Sequence, residues 1–500
     1  MPAMPLLHKI IYGALAVLGI SFWFVVGFPF ANHNESFVIV TQLEHMSFSD
    51  VLVDRIYPVA NYRPLGQAVA WLGYTLSGGS IAPVQLFNYI VAAAAWLVLF
   101  GALRERRVFG LAALIAGGVF FSGYIYLFHL HGVFYSPFLL FMAMLFLIET
   151  RPLSRPLLLA VSLAGLVAAF FHPYALPVYV AALIGFILER PAEFRPYRMV
   201  TIGGLAVAFG LLLFMVILPR HESVMTLPDM LAGLVTSYRM IEVNTAVSAV
   251  AAVFTVLTGL SLPAKVLRPT TGAIGAAILA AVVWLMGMPL LAAWIFLCLV
   301  KAVLMRKWWL VFVLGGASLL PAPAATGSPT YAVFVILMCT GTLALGWSEA
   351  ERWVREPVAR LGAVAVVAAL LLLVLLRTGV TVPGVSRLAA PIIAEKEKTY
   401  QLEEIARWLA ASPYRDHEPV FLRSSSNPRG ATDIVDRRFR TPTNQEYLSK
   451  YMRMIRRGEA AQGRVVYLGF GGEDMPGATR ILELNSQYGG SASVYLPPQD

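Results

Sequence analysis

Ala31-Asn32-His33-Asn34-Glu35-Ser36-Phe37 follows the first hydrophobic run of the chain, and Asn61-Tyr62-Arg63-Pro64-Leu65 comes shortly before the second. Between them stands a polar and aromatic middle containing Asp50, Asp54, Arg55 and Tyr57. A turn between two membrane-spanning segments needs only a few polar residues. A loop of this length, with a carboxylate near one end and an arginine near the other, points to a role beyond reversing the chain.

The rest of the sequence makes that loop an island between apolar segments. Of 500 residues, 58% are hydrophobic and 13% charged, about half the charged fraction usual in a soluble domain. Mean hydropathy is +0.71. The chain therefore reads as a polytopic α-helical membrane protein. The net charge of +10 does not indicate nucleic acid, because the basic residues form short clusters between apolar runs and no basic stripe is interleaved with aromatics. Cys298 and Cys339, the two cysteines, both lie inside apolar runs, which argues against a disulfide framework or a cysteine-based zinc site.

A spanning helix takes about 20 mainly apolar residues. Candidate spans fall at about 10–28, 83–103, 108–127, 133–149, 156–171, 174–190, 199–218, 244–262, 271–287, 289–304, 308–320, 329–347 and 360–378. The first, preceded by Lys9, reads as a retained signal anchor. The Met286-Gly287-Met288-Pro289 break divides the long run after Thr271 into two spans. The total of about thirteen puts the termini on opposite sides. Arg104, Arg106 and Arg107; Arg151 and Arg155; Arg190, Arg195 and Arg198; Lys265 and Arg268; Lys301, Arg306 and Lys307; and Arg352, Arg355 and Arg360 all fall in alternate loops. By the positive-inside rule these loops and the N-terminus are cytoplasmic, and the first long loop faces the periplasm.

Residues 1–378 thus form a transmembrane domain with its first periplasmic loop at 29–82, and 379–500 form a small periplasmic α/β domain. In the latter, Leu402 to Leu409 has a helical pattern, while Pro419 to Leu422 and Arg464 to Leu468 read as short buried strands. Its basic cluster, Arg437, Arg438, Arg440, Arg453, Arg456 and Arg457, suits either a solvated surface or an anionic glycan or lipid headgroup.

Within the first loop, Phe37, Val40 and Leu43 at helical spacing suggest a short surface helix led by Glu35, with Asn32 or Asn34 as cap. Pro64 opens a second, amphipathic one carrying Leu65, Val69, Leu72 and Leu76, and Gly78-Gly79 ends it. This pair suits transfer of a sugar from a lipid-linked phosphate. A positioned carboxylate removes the proton of the acceptor hydroxyl, and a fixed guanidinium stabilises the charge gathering on the phosphate leaving group. Direct displacement assisted by one carboxylate inverts the anomeric centre. Asp50 or Asp54 are alternative bases, and either is also a candidate ion-pair partner that would give Arg63 a merely structural role.

Asn34-Glu35 after the first span and Tyr62-Arg63-Pro64-Leu65 later in the loop resemble the motifs of the GT-C superfamily of polyprenyl-phosphate-sugar-dependent glycosyltransferases, which includes protein O-mannosyltransferases and lipid A aminoarabinose transferases. That family carries an acidic pair at the first position and a basic residue before Pro-Leu at the second. Gly66 to Leu76, Leu86-Phe87-Asn88-Tyr89 and the stretch from Leu319 to Tyr331 also resemble it. Asn34 replaces one of the two acids, and Thr330 replaces an arginine.

The resemblance implies an inverting glycosyltransferase of the bacterial inner membrane, and no cofactor is assigned, with a divalent metal kept as an alternative. Its donor would be a polyprenyl-phosphate sugar, and its acceptor a periplasmic glycan, lipid or protein. Glu35 would be the base, and Asn34, Tyr62, Arg63 and Tyr331 would line the donor site. His129, His131, His172 and Tyr174 join them as residues in outer turns where the family lines its donor cavity. Arg220 and His221 are candidates for the lipid phosphate at the edge of a long outer loop. Asn34 in place of the second acid argues against a carboxylate-held metal, and a histidine-based site at the His129-Leu130-His131 turn is the alternative. The alternatives are a ligase or polymerase using a diphosphate donor, and a flippase for lipid-linked glycans. The flippase would call for charges deep in several spans or matched repeats, and neither is present in the sequence.

Overall fold

The structure is a computed structural model. It describes residues 47–53, 63–78, 82–104, 130–213, 227–242, 245–263, 268–320 and 329–345, parts of 401–423, and 453–456, 464–470, 477–486 and 490–497. The candidate spans at 10–28, 108–127 and 360–378, the surface helix at 34–43 and the Arg437–Arg440 cluster lie outside the described residues.

Thirteen helices are numbered here: α1 (Phe48–Val53), α2 (Pro64–Leu76), α3 (Ala82–Arg104), α4 (Ser136–Thr150), α5 (Arg155–Phe171), α6 (Ala175–Glu189), α7 (Arg198–Leu212), α8 (Leu227–Glu242), α9 (Thr245–Leu260), α10 (Pro269–Leu285), α11 (Leu290–Leu304), α12 (Trp308–Leu319) and α13 (Pro329–Ala344). Ten of them, α3 to α7 and α9 to α13, fall on predicted spans, and the protein is a polytopic helical membrane protein. Two stretches, Ala82–Leu99 and Gly132–Thr150, are by themselves long and apolar enough to cross a bilayer, and most others are apolar helices of 10–17 residues. A 15-residue helix rises about 22 Å, so the shorter ones need their flanking turns to reach across about 30 Å of hydrocarbon.

Helix ends follow local chemistry. Pro opens α2, α4, α5 and α10 within their first two positions. Ser154 caps α5 by accepting from the Leu157 N–H. Gly78 takes φ +67° just past α2, where glycine avoids the Cβ clash of the left-handed region. Asp50 in α1 accepts from the backbone N–H of Ser47 at 2.9 Å and from its hydroxyl at 2.6 Å.

Large aromatics fill the core of the bundle: Phe138, Phe141, Phe146, Phe186, Trp294 and Trp309 are all fully buried. Small residues set the closest approaches, as expected where lipid removes any hydrophobic drive between helices. A Cβ on Gly185 of α6 would overlap the backbone N and Cα of Trp309 in α12. Gly185→Ala therefore forces two backbones apart, and we expect a loss of about 1–3 kcal/mol in thermal or denaturant unfolding in detergent.

The sequence marks α2 as amphipathic, and the structure shows which side meets the protein. The side of α2 turned to the protein carries Gly66, Gln67, Ala70 and Tyr74, whereas Leu72 and Leu76 are exposed. Small residues permit close packing, and the leucines are left for lipid. The helix α8 was not anticipated. It lies in the predicted outer loop and is pinned by Tyr238, whose hydroxyl donates to Ser318 O at 2.7 Å, and by Arg239, which donates to Gly287 O at 2.8 Å.

At one end of the bundle, charge is buried. Glu149 at the end of α4 accepts from Lys307 Nζ at 2.9 Å and from Trp309 Nε1 at 3.1 Å, with Arg190 at 3.9 Å. Lys307 also pairs with Glu189 of α6. Arg190 donates to Ile148 O at 3.0 Å. Near this end Lys301 is wholly buried, donating to Ser261 Oγ at 2.7 Å and Leu343 O at 2.9 Å. These cations come from the loops that the positive-inside rule assigned to a single side.

The C-terminal part contains one five-stranded sheet, β1 (Glu418–Arg423), β2 (Arg453–Arg456), β3 (Val465–Phe470), β4 (Thr479–Ser486) and β5 (Gly490–Leu496). Its order is β2-β1-β3-β5-β4, with the first three strands parallel and the others antiparallel. Ile405 and Leu409, from the segment read as helical, pack on Val466, Leu468, Ala492 and Val494. A mixed sheet with a helix on one face matches the predicted α/β character.

Candidate active site

Four chain segments converge at the end of the bundle opposite the Glu149 network. The first is the entry to α2. Arg63 precedes Pro64, so its backbone is driven away from the helical region, to φ −135° and ψ 57°, while its carbonyl accepts the first helical bond from Gln67 at 3.1 Å. Its side chain turns inward and the residue is 8% exposed.

The second segment is the 3-10 turn Leu130–Phe134 that leads into α4. It places the Phe134 ring 5.1 Å and the Tyr135 ring 5.7 Å from the Arg63 guanidinium carbon. A Cβ on Gly66 would overlap the Phe134 ring, so the glycine is what lets that ring reach the start of α2.

The third is the turn between α5 and α6. His172 ends α5, its N–H bonding Ala168 O at 2.7 Å, and Pro173 holds it extended at φ −148° and ψ 108°. The imidazole is completely buried. It lies 4.9 Å from the Tyr135 ring, 5.1 Å from Tyr174 and 5.6 Å from Phe138.

The fourth is the start of α13. Tyr331 brings its hydroxyl to 3.4 Å from His172 Nε2. Its ring meets Tyr135 edge-on at 5.6 Å and Tyr174 at 6.2 Å.

Of the residues singled out from sequence, Arg63, His172, Tyr174 and Tyr331 thus come together, although they are spread over 268 positions of the chain (331 − 63). Asn34, Glu35, Tyr62, His129, Arg220 and His221 lie outside the described residues. For His131 the backbone is described, within the 3-10 turn, but not the side chain. Asp50 does not pair with Arg63. It is fully exposed, and the Ser47 hydroxyl, then the Ser47 backbone N–H, hold its carboxyl below the usual carboxylate range. That role as a local cap makes it a poor base. Among the described residues no group of three or more His, Cys, Asp or Glu side chains could hold a metal.

Sequence reading missed Phe134, Tyr135 and Phe138, because an aromatic in an apolar run looks like packing. The usable signal was the Tyr135-Ser136-Pro137 start of α4, which places those rings at a helix entrance.

Among the described residues the charge of Arg63 is not fully compensated. Burying a charge costs several kcal/mol, and a cation–π contact returns about 1–2 kcal/mol per desolvated ring. Two rings leave a deficit. Among the described residues no carboxylate pairs with the guanidinium, and its buried Nε has no hydrogen-bond partner. An anion docked here would supply the missing interaction.

No family model matches the chain, and neither does any curated protein. Among solved structures it is similar to the crystal structure of ArnT from Cupriavidus metallidurans bound to undecaprenyl phosphate. The identity is 15% and the TM-score 0.40, over 98% of this chain and 99% of that one.

Proposed function

We propose that the protein is an inverting glycosyltransferase of the GT-C type, transferring a sugar from a polyprenyl phosphate to an acceptor at the outer face of the bacterial inner membrane. The observation that carries this reading is the buried Arg63, undercompensated among the described residues and set beside Tyr331 and His172. A guanidinium in a low-dielectric, aromatic-lined site offers a planar bidentate fork to phosphate, and its charge counts for more there than in water. Tyr331 and His172 add a hydroxyl and a ring nitrogen able to bond the phosphate or the sugar. Glu35 takes the proton of the acceptor hydroxyl. In this reading the N-terminus and the Glu149 end are cytoplasmic, and the Arg63 end and the sheet domain are periplasmic.

Turnover of polyprenyl-phosphate sugars in proteoliposomes tests this. Arg63→Ala is expected to lower kcat/KM by about 10²-fold, in line with removal of one donor to a developing oxyanion. Arg63→Lys keeps the charge but loses the fork, and should fall between the two. Unimpaired transfer by the alanine variant would remove Arg63 from the site and the proposal with it.

A further inference from the structure

We infer that Phe134 and Tyr135 are positioning residues whose ring faces form a seat fixing the Arg63 guanidinium in one orientation toward the donor phosphate. This rests on the reading of Arg63 as a phosphate ligand and assigns a role to two residues with no chemistry of their own in that step. Both rings lie within the roughly 6 Å over which a ring quadrupole attracts a cation. Both are buried, Phe134 at 2% exposure and Tyr135 at 5%.

The seat is itself fixed. Phe134 is pressed against Gly66, three residues after Arg63 on the first turn of α2, so one ring touches both the guanidinium and the backbone that carries it. Tyr135 is held from other sides by His172, Tyr331 at 5.6 Å and Phe334 at 6.2 Å. A free arginine side chain has many rotamers, and ordering it on each binding event would weaken the grip on phosphate. A side chain already seated avoids that loss.

The test replaces Phe134 in the full-length protein with phenylalanines carrying one, two or three ring fluorines. These keep the ring's shape and fold, and progressively weaken the negative potential of its face. A ring that only fills space gives a flat series. The seat predicts that donor kcat/KM falls stepwise with each fluorine, by about tenfold in total. Phe134→Leu, which deletes the ring face, should resemble the end of the series, and in an Arg63→Ala background the fluorine dependence should vanish. Binding of decaprenyl phosphate followed by native mass spectrometry should show the same trend without turnover. A flat series in a protein that Arg63→Ala does impair overturns the seat and leaves the phosphate reading standing. Unimpaired binding and turnover by Arg63→Ala overturns both.

Discussion

Glu35→Gln is expected to reduce sugar transfer by about 10²- to 10⁴-fold, the range contributed by a positioned general base. Glutamine preserves size and hydrogen-bonding reach but cannot accept the proton that the acceptor hydroxyl must release. Donor binding should be little changed, since the carboxylate acts on the acceptor, so the loss should appear in kcat. Glu35→Asp retains the charge on a shorter arm and should recover part of the rate. Full activity in Glu35→Gln would shift the role of base to another acid, with Asp54 next in line, because Asp50 is occupied as a cap.

Lys307→Met is expected to have a comparably large effect on stability and almost none on chemistry. Lys307 lies between Glu149, whose side chain is 1% exposed, and Glu189, at 9%. Removing the cation leaves two carboxylates close together, with Arg190 and the Trp309 N–H beside Glu149 among the described residues, a change that typically costs about 3–5 kcal/mol in a buried pair. The unfolding midpoint in detergent should fall sharply. Adding Glu149→Leu should restore part of the loss, because apolar replacement of a buried ion pair is often close to neutral. A fully folded helix such as α4 or α6 puts about 20 Å between this network and the Arg63 site, so kcat per folded molecule should be unchanged. An unshifted midpoint would show that the network carries no net stability.

Helix positions were legible in the sequence because most apolar runs are bounded by arginines, lysines or prolines, and ten of the thirteen helices fall on those runs. The α8 segment was passed over as loop, since its apolar residues are interrupted by polar ones and it spans nothing. Sequence reading took Arg190 and Lys307 as markers of orientation. Glu149 and Glu189 carried a further signal that went unread. An acid in the last turn of an apolar helix opposes the macrodipole and resists burial, so two of them point to a cation between them.

At the candidate site the polar residues announced themselves by type and by their place in outer turns. The rings around Arg63 did not, because whether an aromatic packs against leucine or against a guanidinium is decided by partners that are distant in sequence. Which face of α2 meets the protein is decided in a related way. Periodicity shows that a helix has two faces, but in lipid the small residues, not the leucines, face the protein.

Both cysteines of the chain, Cys298 and Cys339, are fully buried, with the Cys298 thiol donating to the Cys339 carbonyl at 3.7 Å. The native protein is thus already silent to membrane-impermeant maleimides. Single cysteines introduced at the two ends of α4 would report unambiguously which end of the bundle meets the cell exterior, with no need to build a cysteine-free background.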